Sequence, residues 1–181
     1  MKMRNEGMIT ARHLPLAAYL LPLFFMLALS VSAQTVTKTS HKRAVKTDVV
    51  TTGTLTIRKP DYICISTDGD KDQLIMDGTQ FTMTTGGRKH VTDSKKNPQF
   101  AAFHTVLKAV INQQDIPRGD DMTVATKGNT TTITIVPSGK KKRQLFTSFV
   151  LTLNAKTKAL RTLRLNGRGE DYILYEMRNE K

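Results

Sequence analysis

The sequence contains one cysteine, Cys64, and no tryptophan among its 181 residues. A single thiol excludes an intrachain disulfide framework and a cysteine-rich zinc site. Histidines are few, and none has the HExxH spacing of a zinc protease. No G-x-S-x-G sequence occurs, so the nucleophile elbow of an α/β-hydrolase is absent. We therefore predict a non-enzyme without catalytic residues, metal ligands or a cofactor, and a free, half-buried thiol at Cys64.

Long apolar runs are also scarce, which excludes a protein with several membrane-spanning helices. The single run, residues 14–31, follows a basic start. It ends at a small-residue site, with Val31 and Ala33 three residues and one residue before the expected cut. This order predicts a secretory signal peptide that is cleaved before Gln34. An uncleaved membrane anchor is the alternative, because 18 apolar residues come close to the length that spans a bilayer. Two prolines inside the run disfavour one long helix.

Acidic residues are outnumbered, 15 Asp and Glu against 28 Lys and Arg, for a net charge of +13. The predicted signal peptide, residues 1–33, implies that the remaining domain, residues 34–181, lies outside the cytosol. Nucleic acid is therefore not an expected partner, and anionic lipid head groups or acidic proteins are. We interpret the densest basic run, residues 140–143, as a solvated turn between strands.

Alternation of polar and apolar residues between turn-forming residues predicts a series of short strands. Asp77 and Gly78 favour a tight hairpin between two of them. Three alternate aspartates, Asp68 to Asp72, begin like a calcium loop, but Gln73 stands where that loop needs glycine, and we predict a polar turn. The predicted strands cover residues 54–59, 62–67, 73–77, 80–84, 88–93, 122–126, 131–136, 145–153, 159–165 and 172–177.

One segment has the period of a helix. Asn97 is a suitable N-cap, and Pro98 suits the first turn. Large apolar residues then recur at three- and four-residue steps as far as Ile111, which predicts an amphipathic helix ending near Gln114. These apolar residues are Phe100, Phe103, Leu107, Val110 and Ile111.

The predicted fold is mainly β, of the α+β class: a curved antiparallel sheet that forms an open half-barrel with the amphipathic helix over its concave face. The strand pattern turns one set of apolar side chains inward. Such a lining forms either a solid core or a lipid pocket, and the residue pattern alone leaves both open. The predicted lining residues are Leu55, Ile57, Ile63, Ile65, Leu74, Met76, Phe81, Met83, Phe103 and Leu107.

Three parts of the sequence follow one another in a recognisable order. They are Gly53-Thr54-Leu55-Thr56-Ile57-Arg58-Lys59-Pro60, the strand at residues 62–65, and the stretch at residues 73–81 that contains Asp77-Gly78. This ordered set resembles the LolA family of periplasmic lipoprotein carriers. Versions with lysine-rich later strands resemble divergent members from Bacteroides-type bacteria. The resemblance implies a hollow for acyl chains under a helical lid, and a monomeric carrier that takes acylated lipoproteins or lipids from an inner-membrane ATP-driven exporter to an outer-membrane acceptor.

Two departures from the family pattern concern the lid. The family usually has Arg before the proline, tying the lid to the sheet, whereas Lys59 precedes Pro60 here. Lys59 and Pro60 are therefore the candidate lid contacts. Because Lys lacks the planar, multiply donating guanidinium group of Arg, we expect Lys59 to bind the lid less specifically. The family also begins with a helix and a strand, whereas only 19 residues separate Gln34 from Gly53. We predict the strand at residues 42–50 and no opening helix.

Three functions follow from these observations. The first is a lipoprotein carrier that shields acyl chains between the inner and outer membranes. The second is a module of the same fold that senses lipid or protein without transport. The third is an exported hydrolase whose residues are brought together only by folding.

Overall fold

A computed structural model describes residues 32–45, 47–137 and 145–178. The predicted signal peptide, up to residue 31, and the basic run at residues 140–143 lie outside these residues. Cleavage before Gln34 therefore stays a prediction, and Gln34 itself lies within the first strand, opposite Leu55.

The described residues form strands around one helix, as the alternating pattern predicts. Most predicted strands are confirmed to within one or two residues at each end. The elements are β1 (Ser32–His41), β2 (Asp48–Arg58), β3 (Tyr62–Thr67), β4 (Asp72–Asp77), β5 (Gln80–Thr85), β6 (Arg88–Asp93), α1 (Pro98–Ile111), β7 (Met122–Lys127), β8 (Thr130–Ile135), β9 (Ser148–Asn154), β10 (Leu160–Asn166) and β11 (Tyr172–Arg178).

All eleven strands belong to one antiparallel sheet with the order β6-β5-β4-β3-β2-β1-β11-β10-β9-β8-β7. Strands β1–β6 form one meander and β7–β11 a second. The first and last strands join the two, with Thr35 opposite Arg178. The sheet is open, with β6 and β7 at its edges, and this confirms the predicted open half-barrel with one helix.

The core lies on the concave face. Register aligns Leu55, Ile65, Leu74 and Met83 in one row across β2 to β5. The second meander contributes a matching row across β8 to β10, with Ile133, Leu151 and Leu163 fully buried. A single helix is enough to cover this face because the sheet curves around it.

The helix α1 begins as predicted. Asn97 accepts a hydrogen bond from the backbone N–H of Gln99 at 3.1 Å, and Pro98 follows in the first turn. The helix ends at Ile111, three residues before the predicted end, because Gln113 takes a left-handed conformation with φ of +56°. Its apolar face is buried along its whole length, with the predicted residues joined by Gln99, Val106 and Ala109.

The predicted strand at residues 42–50 is confirmed only for residues 48–50, which begin β2, and is wrong for the described residues before them. That stretch contains the turn between β1 and β2, and the first strand lies earlier, at Ser32–His41. Alternation failed to reveal β1 because its outward face is mostly Thr and its inward face is also mostly polar, with Gln34, Lys38 and Ser40 around Val36. No helix precedes β2 within the described residues, in agreement with the sequence.

Gly53 lies where β2 and β3 approach closely. A Cβ atom at this position would lie 1.8 Å from the backbone oxygen of Ser66. Only glycine fits there, and the close approach supports the curvature of the sheet. Among the described residues, no helix is both long enough and apolar enough to cross a bilayer.

Candidate lipid-binding site

Five phenylalanines form an aromatic cluster between α1 and the sheet: Phe81, Phe100, Phe103, Phe146 and Phe149. The rings of Phe103 and Phe149 stack with centroids 4.3 Å apart and planes 9° apart. Phe81 extends the stack, 5.5 Å from Phe103 and 5.2 Å from Phe100. Ring faces in contact at these distances bury a large apolar area, so the cluster anchors the helix to the sheet.

A cleft of about 240 Å³ opens beside the N-terminal half of α1, and we call it the aromatic cleft. Its walls come from β4, β5, β6, α1, β9 and β10, so both meanders contribute to it. Leu145, about half exposed, lies at the cleft. The lining residues are Leu74, Phe81, Met83, His90, Val91, Thr92, Asn97, Gln99, Phe100, Phe103, Leu145, Phe146, Phe149 and Leu165.

The structure brings the ten predicted lining residues into one apolar cluster on the concave side. Eight are buried, and Ile57 and Met83 are partly buried against the others. Four of the ten also line the aromatic cleft: Leu74, Phe81, Met83 and Phe103. The remaining six pack in the core without reaching the cleft: Leu55, Ile57, Ile63, Ile65, Met76 and Leu107.

Sequence reasoning missed ten of the fourteen lining residues, and it missed the four around β9 and β10 because it took sheet candidates from the first meander alone. Phe149 and Leu165 alternate with polar residues along β9 and β10 and face each other in the register. That alternation was available in the sequence as a signal. Phe146 precedes β9 in an irregular segment, where neither the helical nor the strand period identifies an inward side chain.

The amide of Gln99 ties the helix to the second meander. Its Nε2 donates to the Phe146 carbonyl at 2.8 Å, and its Oε1 accepts from the Leu145 N–H at 3.2 Å. Gln99 is buried, so both amide atoms need these partners. The segment that carries Leu145 and Phe146 is therefore positioned directly by α1.

The other end of the helix meets the turn between β2 and β3. Asn112 donates from Nδ2 to the Pro60 carbonyl at 2.6 Å and to the Lys108 carbonyl at 2.7 Å. Pro60 thus contacts the helix end through its backbone. The side chain of Lys59 is exposed and has no hydrogen-bond partner among the described residues.

His104 lies on α1 beside the aromatic cluster, with its ring edge-on to Phe81 at 6.2 Å. Burial lowers the pKa of His104, and a hydrogen bond with the backbone of Gly78 opposes that shift. Its Nε2 is buried and has no partner among the described residues. Burial therefore favours the neutral form of the imidazole where it packs on the turn between β4 and β5.

Cys64 and the aspartate-rich turn at residues 68–72 are the other candidate reactive or metal-binding groups, and their contacts are with the protein itself. Burial raises the pKa of the Cys64 thiol, which is half-buried and free. The aspartate-rich turn has Asp72 paired with Lys38 and Asp70 accepting from Ser66. Within the described ranges, no group of three or more His, Cys, Asp or Glu is arranged to hold a metal ion.

Solved structures with similar chain paths are remote. They include a LolA superfamily protein, NE2245, from Nitrosomonas europaea (4% identity, 84% of this chain and 86% of that one, TM-score 0.33) and a DUF1329 family protein from Desulfovibrio piger (9%, 84% and 85%, TM-score 0.39). LprF from Mycobacterium bovis is another (12%, 83% and 85%, TM-score 0.32). No curated protein matches the chain in sequence.

The family follows from the sequence itself. Residues 30–181 match the family described as outer membrane lipoprotein carrier protein LolA. The match includes every described strand and the helix that covers the cleft. The chain therefore belongs to the LolA family.

Proposed function

We propose that this protein is an exported carrier that shields the acyl chains of lipoproteins in the aromatic cleft and moves them from the inner to the outer membrane. The partners are acylated lipoproteins or lipids, an inner-membrane ATP-driven exporter and an outer-membrane acceptor. The chain acts as a monomer and without catalysis. The observation that carries the proposal is an apolar cleft, enclosed by both meanders, beneath a single helix.

Shielding is needed because acyl chains are costly to expose. Each CH₂ group contributes about 0.8 kcal/mol on leaving water, so a 16-carbon chain amounts to about 12 kcal/mol. A free lipoprotein therefore does not cross an aqueous compartment at a useful rate. A carrier with an apolar site removes most of that cost, and it releases the cargo if its own binding remains modest.

The size of the aromatic cleft implies that α1 moves. Its 240 Å³ lies below the range of about 300–1,000 Å³ that is usual for small-molecule sites. Lining residues that double as core residues would separate as the helix lifts, and acyl chains would replace their contacts. Apolar contacts are non-directional, so this exchange of partners leaves few unsatisfied polar groups.

The polar contacts at the ends of the helix are the candidate gate. In this proposal Asn112 attaches the C-terminal end of α1 to the Lys59–Pro60 turn, because its side chain donates a hydrogen bond to the Pro60 carbonyl. Asn112→Ala should therefore change transfer more than Lys59→Leu does, with both proteins still folded. Equal effects of the two variants would mean that the Lys59 side chain takes part in gating.

The test is transfer of a fluorescently labelled triacylated lipoprotein from inner-membrane vesicles to outer-membrane vesicles by the purified protein. Leu145→Asp places a carboxylate at the cleft, and we expect at least about a tenfold loss of transfer, since a charge opposes entry of an acyl chain. Val124→Asp is the matched control, because Val124 is equally exposed on β7 and does not line the cleft.

Three results would count against the proposal. Equal losses in both variants would remove the cleft from the mechanism. Binding of the lipoprotein without transfer would indicate a sensor of the same fold. Absence of binding by the unaltered protein would leave the hydrolase as the next hypothesis.

A further inference from the structure

A second concavity lies on the same face of the sheet, beyond the aromatic cleft and outside the reach of α1. Val49 and Thr51 are four and two residues before Gly53 on β2, so their side chains lie on the same concave face as that of Leu55. The cavity has a volume of about 600 Å³, and we call it the polar hollow. The described residues that line it are Lys38, Ser40, Lys42, Val45, Thr47, Val49, Thr51, Asp68, Lys71, Asp72, Thr85, Gly86 and Gly87.

Its floor is a buried ion pair. Lys38 reaches from β1 across β2 and β3 to Asp72 at the start of β4, and its side chain is only 4% exposed. Asp72 also accepts a hydrogen bond from the Gly86 N–H at 2.9 Å. The turn between β5 and β6 and the first strand are therefore held together at the base of the cavity.

The floor has more hydrogen-bonding groups than the protein satisfies. An ammonium group has three N–H donors, and Asp72 is the sole partner of Lys38 among the described residues. The hydroxyl oxygens of Thr51 and Thr67 are buried and have no partner there either. Thr67 lies opposite Asp72 in the register of β3 and β4. Oxygen acceptors on a ligand would meet the unused donors.

The walls add positive charge and apolar surface. Lys42 and Lys71 are exposed at the rim, against the single carboxylate of Asp68. Val45 and Val49 are 61% and 59% exposed, although they belong to a cavity wall. Apolar side chains left open between a floor with unused donors and a rim with an excess of lysines match a ligand with an oxyanion at one end and a hydrocarbon chain at the other.

We propose that the polar hollow is a second ligand site, separate from the aromatic cleft, that binds the carboxylate or phosphate head of an amphiphile. The oxyanion accepts from Lys38 and the Thr51 hydroxyl, both of which line the hollow, with Lys42 and Lys71 attracting it at the rim. Val45 and Val49 contact the first carbons of the chain. The volume falls within the range of about 300–1,000 Å³ for small-molecule sites without any movement of α1.

Calorimetric titration of the full folded protein with decyl phosphate, decanoate, decanol and inorganic phosphate tests the ligand class. Decyl phosphate and decanoate should bind at least about tenfold more tightly than decanol, because decanol has no charge for Lys38. Inorganic phosphate alone should bind at least about tenfold more weakly than decyl phosphate, because it lacks the chain. Equal binding of decanol and decyl phosphate, or of inorganic and decyl phosphate, overturns the proposal.

Matched substitutions locate the site. Val49 and Val50 are neighbours on β2 with 59% and 60% exposure, on opposite faces of the sheet. Val49→Asp should weaken decyl phosphate binding at least about tenfold, whereas Val50→Asp should leave it within about twofold. Equal effects would place the ligand elsewhere.

The charges have a matched test as well. Lys42→Ala with Lys71→Ala should weaken binding about fivefold or more, whereas Lys89→Ala with Lys95→Ala, which removes the same charge from β6 and its neighbouring turn, should not. If both pairs weaken binding equally, the protein's overall charge is responsible and the site is refuted. Urea unfolding of each variant verifies that it folds.

The two sites fail independently. Leu145→Asp should leave decyl phosphate binding intact while reducing lipoprotein transfer, and Val49→Asp should do the reverse. Loss of decyl phosphate binding in Leu145→Asp would mean that the aromatic cleft holds the amphiphile, and the polar hollow would then not be a site.

Discussion

At the aromatic cleft, five phenylalanines fill the space between a helix and the sheet. At the polar hollow, the same face of the sheet ends in an ion pair under a cavity more than twice as large. The first region is held by apolar contacts with a few polar contacts at the ends of the helix. The second is held by a directional bond between strands, and no helix within the described residues lines it.

This difference separates two kinds of binding. An aromatic cluster keeps much of its stabilisation when its members shift together, so a ligand can enter by moving the helix. An ion pair loses its stabilisation once its partners part, because each charge is then left buried and unpaired. We therefore expect the aromatic cleft to change shape on binding and the polar hollow to accept its ligand as it is.

The largest expected effect is at the aromatic cluster. Phe103 is fully buried and stacks on both Phe81 and Phe149. Phe103→Ala should lower the free energy of unfolding by about 3–5 kcal/mol, as the ring's contacts are lost and a cavity remains. Val49→Ala in the polar hollow should change it by less than about 0.5 kcal/mol. Urea denaturation measures both, and similar values would erase the difference between the regions.

The next effect concerns the ion pair. Lys38→Met leaves the Asp72 carboxylate with only the Gly86 N–H, and we expect a loss of about 2–4 kcal/mol in unfolding free energy. Adding Asp72→Leu should restore most of it, because an apolar pair of similar size avoids the buried charge. A double-mutant cycle gives the coupling. If the double variant is as unstable as the single one, the loss reflects packing around Lys38.

Gln99→Ala should have a smaller effect. It leaves the Leu145 N–H and the Phe146 carbonyl without their side-chain partner, and we expect a loss of about 1–3 kcal/mol. Amide hydrogen exchange should increase at residues 145–149 and remain unchanged at β1 and β2. Faster exchange throughout the sheet would show that Gln99 supports the whole fold and not the cleft alone.

The smallest expected effect is the change in stability with pH. The two regions should lose stability in different pH ranges. The pKa of His104 is lowered in the folded state, mainly by burial, with Lys108 adding to the shift and Asp61 and Asp93 opposing it. As the pH falls below about 6.5, the unfolded chain takes up this proton first, so the free energy of unfolding decreases. Protection of the α1 amides, taken relative to their intrinsic exchange rates at each pH, should therefore decrease from pH 7 to pH 5.

The ion pair of the polar hollow should respond only in stronger acid. Burial opposes ionisation of Asp72, but the hydrogen bonds from Lys38 and Gly86 outweigh it and lower its pKa. This contribution to stability is present above about pH 4 and is lost as the pH falls further. His104→Gln should abolish the first change and preserve the second. A single transition shared by both regions would contradict the assignment.

The sequence predicts local structure well and long-range pairing poorly. Alternation and the Asn97 cap locate nearly every strand and the helix, because both depend on residues close in the chain. The pairing of Lys38 with Asp72 crosses two intervening strands, and nothing in the surroundings of either residue indicates it. Likewise, Phe146 joins the aromatic cluster through the amide of Gln99, 47 positions away.

The junction between β1 and β11 has a consequence for how the chain reaches this shape. Each meander can assemble from neighbours in the chain, but the seam between them aligns Thr35 with Arg178. Closing so long a loop is slow, and the curved sheet exists only once the last strand has been synthesised. A growing polypeptide would therefore remain open, and able to pass through a translocation channel, until β11 emerges from the ribosome.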